Sequence, residues 1–131
     1  MPLLFLARAA AVTCCVVAAA PRAHPPSHLG GVNLNHATLL GTEPFWSVDI
    51  TAGWLVLKRP DGAALRARNP GAVIRGGTAT WRARGTDGQA VTLTARVHTC
   101  SDGMSDIDYP LIATVRWGDL QLKGCGEATG R

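Results

Sequence analysis

AVTLTARVH, residues 90–98, decides the fold. Val91, Leu93, Ala95 and Val97 share one face of this run, and Thr92, Thr94, Arg96 and His98 share the other. A period of two belongs to a strand with one face in a core and one in water. A helix would repeat its apolar residues every three or four positions. No stretch of the 131-residue chain sustains that period.

The rhythm spreads in both directions. Upstream lie FWSVDI (45–50), WLVLK (54–58), ALRAR (64–68), AVIR (72–75) and TATWRAR (78–84), short runs parted by Gly, Pro, Asn and Asp. Downstream, LIATVRW (111–117) and LQLKGC (120–125) flank Gly118-Asp119, a two-residue hairpin signal. Seven or eight close-spaced strands predict an all-β domain over residues 39–127. Its form is a small antiparallel barrel or sandwich of sequential hairpins.

Before Leu39 the pattern changes. Met1–Arg8 carries one positive charge, Ala9–Ala20 is a continuous apolar run ending in small residues, and Pro21-Arg22 breaks it. This is the pattern of a secretory signal over residues 1–20, cleaved after Ala20. The apolar run is well short of the about 20 residues that a transmembrane helix needs. VTCC lacks the leucine and the small residue of a lipoprotein signal. Residues 21–38, rich in Pro, Gly, His and Asn, are expected to be a flexible spacer.

Losing the signal removes Cys14 and Cys15 and leaves Cys100 and Cys125. An even pair in an exported chain implies one disulfide. A thiol catalyst or zinc pair competes with it, but the mature chain has no CxxC, and three of its histidines sit in the spacer. With Arg8 gone, twelve basic and nine acidic residues leave a charge of +3. The arginines are scattered, which argues against a nucleic-acid stripe with stacking aromatics.

Two polar motifs stand apart from the strand rhythm. In CSDGMSDIDYP (100–110), Asp102-Gly103 is a strong turn pair, Ser101 and Ser105 can cap neighbouring amides, and Pro110 bars a ladder bond on re-entry. A self-capped loop accounts for all of these. Asp102, Asp106 and Asp108 nonetheless put three carboxylates beside Met104 and Tyr109. Such a loop can hold calcium, though the EF-hand pattern is absent, or supply a pair of hydrolytic carboxylates. In GTEPFW (41–46), Pro44 fixes the strand entrance and Trp46 is expected to fill the barrel end. Glu43 could accept amides from the Asp102 loop. No Ser-His-Asp or Cys-His arrangement follows from spacing.

GTEPFW (41–46), CSDGMSDIDYP (100–110) and GC (124–125) together resemble a family of small bacterial envelope proteins, described as predicted membrane proteins or lipoproteins. The resemblance covers residues 41–125. It implies an exported β domain with a Cys100–Cys125 disulfide. It also implies Glu43, Phe45, Trp46, Asp102, Gly103, Met104, Ser105, Asp106, Tyr109 and Pro110 as signature positions. It brings no settled activity.

The expectation is therefore a periplasmic or secreted monomer, membrane-attached if the signal is retained. It would bind a wall fragment, a lipid or another envelope protein, with no nucleic acid, cofactor, metal or catalytic residue assigned. Inhibition of an envelope-attacking hydrolase such as lysozyme is the alternative within binding. A small hydrolase or metal-binding protein using Asp102–Asp108 is the alternative from another class.

Overall fold

The computed structural model describes residues 9–17 and 27–130. The expected cleavage point after Ala20 and the first part of the expected spacer lie outside the described residues. Residues 9–17 are irregular and exposed. No helix among the described residues is long and apolar enough to cross a membrane.

Eleven strands form among the described residues. They are β1 (His28–Leu29), β2 (Val32–Asn33), β3 (His36–Thr42), β4 (Phe45–Thr51), β5 (Trp54–Lys58), β6 (Leu65–Arg68), β7 (Val73–Arg75), β8 (Thr78–Arg84), β9 (Ala90–Ser101), β10 (Asp108–Trp117) and β11 (Leu120–Ala128). β1 and β2 make a small hairpin. The other nine form one antiparallel sheet in the order β6-β5-β4-β3-β11-β10-β9-β8-β7. The sheet curls until its ends approach. Ala67 on β6 bridges Gly85 beyond β8, and the Thr86 N–H donates to the Arg66 carbonyl at 2.8 Å. The all-β antiparallel fold with one disulfide is thus present, with nine strands in the main sheet where the sequence suggested seven or eight.

Alternation explains the interior. Trp46, Val48 and Ile50 of β4 point inward, as do Leu55 and Leu57 of β5, Val91, Leu93 and Ala95 of β9, and Leu111, Ala113 and Val115 of β10. Trp46, Trp81 and Trp117 are fully buried and supply much of the core volume. Removing one such side chain from water contributes roughly 3 kcal/mol. Glycine makes room for one of them. The Trp46 indole stands over Gly41 of β3, its cross-strand partner, where an added Cβ would collide with Nε1.

Three sequence expectations need correction. The spacer does not extend through residue 38: from His28 the chain is paired, and Leu29, Val32, Leu34 and Ala37 are buried. Gly30-Gly31, which resembles linker composition, is a tight turn with both residues at positive φ. Val97 is 47 % exposed because β9 runs on beyond the barrel, where only the β1–β2 turn at Gly30 partly covers it. Finally, Cys125 lies within β11 and does not end it.

Candidate functional site

The disulfide anchors the site. Cys100 near the end of β9 bonds Cys125 in β11 with 5.6 Å between Cα atoms, clamping the loop of residues 102–107 against the sheet. Re-entry from that loop is bulged. Tyr109 pairs with Cys100 and Leu111 with Val97, so Pro110 alone faces His98 and Thr99. Proline has no N–H for a ladder, and the bulge removes the need for one.

Inside the loop one carboxylate organises everything. Asp102 Oδ1 accepts from the N–H groups of Met104 and Ser105, both at 2.9 Å, and from Ser105 Oγ at 3.2 Å. Its Oδ2 accepts from Ser105 Oγ at 3.1 Å and from Tyr109 Oη at 3.1 Å. The Ser105 N–H, then the Met104 N–H, hold the Asp102 carboxyl below the usual carboxylate range, against a smaller opposing effect of burial. Burial, and next the bond to Asp102, pushes the Tyr109 phenol up. Gly103 sits at φ +77°, a conformation side chains resist, and its N–H donates to Ser101 Oγ at 3.2 Å. The Ser105 hydroxyl also accepts from the Ile107 N–H at 3.4 Å.

The two sequence motifs do meet, but not through Glu43. Thr42 Oγ1 donates to the Asp102 carbonyl at 2.8 Å. Between them lies an open cleft of about 420 Å³, bounded by Gly41–Glu43, Cys100–Met104, Lys123 and Gly124. Glu43 lines it and bonds no amide of the loop; the expected acceptor role falls to nothing more than this wall position. Glu43 and Lys123 both line the cleft without forming an ion pair to each other, whereas Lys58 on β5 pairs with Asp49 on β4 at 2.8 Å.

The positions singled out in the two sequence motifs divide by role. Trp46, Gly103, Tyr109 and Pro110 build the core, the turn and the bulge, and Asp102 and Ser105 hold the loop. Glu43, Met104 and Asp106 reach the surface on the loop side, with Met104 74 % exposed. Phe45 is 64 % exposed but looks the other way, toward Arg59, Pro60 and Leu120. Asp106 and Asp108 are exposed and lie outside the Asp102 network. Among the described residues no three His, Cys, Asp or Glu side chains are placed to hold a metal ion. Sequence inspection missed Thr42 and Lys123. Nothing local marks a threonine whose partner is 60 residues away, or a lone lysine on a strand.

Chemically, Asp102 is a poor proton carrier. Four donor groups occupy its oxygens, and its carboxyl is held in the charged form that those donors need. The arrangement suits a rigid rim around a cleft. Comparison of the chain with protein-family models, with curated proteins and with solved structures finds no match in any of the three.

Proposed function

We propose that the protein is an exported envelope domain that binds a component of the cell envelope at the end of the sheet where Gly41–Glu43 faces the Asp102 loop. One observation carries this: the cleft's rim is fixed before any ligand arrives, by the disulfide, the Asp102 network and the Thr42 tether. A fixed rim spares the ordering cost that a mobile loop would incur on binding. Export is supported by the disulfide, since such bonds persist in oxidising compartments, and by the signal-like start. The resemblance to small envelope proteins points to the same address.

Retention of the full chain on a cell-envelope preparation tests it. Saturable binding is expected, weakened at least tenfold by Glu43→Ala with Met104→Ala while the melting temperature holds. No retention, or equal retention of the variant, overturns it.

Inhibition of an envelope-attacking hydrolase is a second reading, favoured by Met104. A 74 % exposed apolar side chain at the tip of a locked loop suits insertion into another protein's cleft. Stoichiometric slowing of lysozyme-driven wall lysis is the check, and no effect at excess removes this reading.

A further inference from the structure

Among the described residues, β11 is a central strand with half of one edge unpaired. It pairs with β10 from Leu120 to Gly126, but with β3 only from Cys125 to Ala128. From Leu120 to Gly124 it therefore has one ladder and not two. The register shows which groups are left over. The two-residue turn at Gly118-Asp119 closes on Trp117 and Leu120, and Gly118 N–H donates to the Ala90 carbonyl, which turns the Trp117 peptide groups away from β9 and toward β11. Leu120, Leu122 and Gly124 then bond β10, and the alternation of an antiparallel ladder directs the peptide groups of Gln121 and Lys123 to the open side.

β3 still passes close to β11 at Gly124, where an added Cβ would collide with the Leu40 carbonyl and the Trp46 ring; beyond that point Thr42 is tied to the Asp102 loop. The opening runs between two ends of distinct chemistry. At one end Phe45, Pro60, Leu120 and Leu122, together with Arg59 and Asp61, line a mostly apolar hollow; at the other lies the cleft with Glu43 and Lys123.

We propose that this edge takes an extended peptide of about five residues, which adds to β11 as a strand. An apolar side chain of the peptide rests against Phe45 and Leu120, and its other end enters the cleft beside Glu43. The proposal rests on the binding role above and names its ligand class. Main-chain groups of Gln121 and Lys123 supply the hydrogen bonds, and the hollow supplies the selectivity. The site's position decides between occupants. The unpaired main-chain groups of Gln121 and Lys123 call for the main chain of an extended segment, and the β3–β4 hairpin across the opening favours a single segment over the edge of a second folded copy.

The test is a random heptapeptide library selected on the full chain. Enriched peptides should carry an apolar residue near one end, and N-methylation at alternate residues should weaken them at least tenfold. Lys123→Pro removes a gap-facing N–H without touching the β10 ladder, and should weaken binding at least tenfold more than Lys123→Ala does. Amide exchange gives a readout that does not depend on that variant folding. In the free chain Gln121 and Lys123 should exchange faster than Leu122 and Gly124, and a selected peptide should slow both at least tenfold.

An unenriched library, binding indifferent to N-methylation, or Gln121 and Lys123 amides already protected in the free chain overturns the proposal. So does a concentration-dependent dimer with those amides protected, which would make a second copy the occupant. Envelope retention that depends on Glu43 and Met104 but survives Lys123→Pro would overturn the strand addition alone and leave the binding role standing.

Discussion

Two aspartates at opposite ends of β9 do the same local job with different results. Asp87, before the strand, accepts from the Gln89 N–H at 3.0 Å and from the Trp117 indole at 3.1 Å. Asp102, after it, accepts from the Met104 and Ser105 N–H groups and from the Tyr109 hydroxyl. Each shapes a turn and ties it to an aromatic side chain. At the Asp87 end the turn is short and closes the curl, through Ala67↔Gly85 and the Thr86–Arg66 bond. At the Asp102 end the loop is longer, is clamped by a disulfide and projects Met104, Ile107 and Asp106 into water. The lesson is that the organising carboxylate is architecture in both places. What differs, and what bears on function, is the set of side chains each turn presents.

The largest test of that contrast is the disulfide. Replacing Cys100 and Cys125 together with alanine should cost about 3 kcal/mol on the chain-entropy model. That should lower the melting temperature by more than about 10 °C. Amide exchange should accelerate over residues 101–107 and stay unchanged over 85–89; equal loosening of both ends would erase the distinction. Next comes Asp87→Ala, which leaves the indole N–H of the fully buried Trp117 without its acceptor. A cost of about 1–3 kcal/mol is expected in denaturant unfolding.

Asp102→Asn should be milder, and its signature is pH. The folded carboxyl is depressed, so its contribution is present above the unfolded value near 4 and is lost as pH falls through the folded value. Wild type should therefore exceed the variant at pH 7, and the two should converge in acid. Tyr109 carries the opposite sign. Its raised phenol stabilises the fold below about pH 10, and that contribution is lost as pH rises through the folded value. The smallest expected effect is Asp106→Ala or Asp108→Ala, within about 0.5 kcal/mol of wild type by thermal melting. A large loss from either would mean that the loop depends on more than Asp102.

Alternation made most of the barrel legible, because a period of two leaves a mark on every strand with one dry face. Val91, Leu93 and Ala95 were placed correctly on that basis. Val97 has the same pattern but lies past the rim, and pattern alone carries no information about where a core ends. The β1–β2 hairpin was hidden by composition, since Gly30-Gly31 reads equally as linker and as turn. In the loop, the turn roles of Asp102, Gly103, Ser105 and Pro110 were visible because they act within a few residues of themselves. The Thr42 tether, the cleft wall at Lys123 and the bare edge of β11 were not, because each is created by chain segments that meet only after folding.

The order of strands also dictates when the fold can be completed. β3, near the start of the domain, is hydrogen-bonded to β11, its final strand, and the pair sits in the middle of the sheet. Until residues 120–128 have emerged, β3 and β10 each present an unsatisfied edge, and the nine-strand sheet exists only as two halves. Long-range pairing of this kind is slow to nucleate. The sheet therefore stays unfinished until residues 120–128 have been made, and these nine strand residues act as the latch that joins the halves.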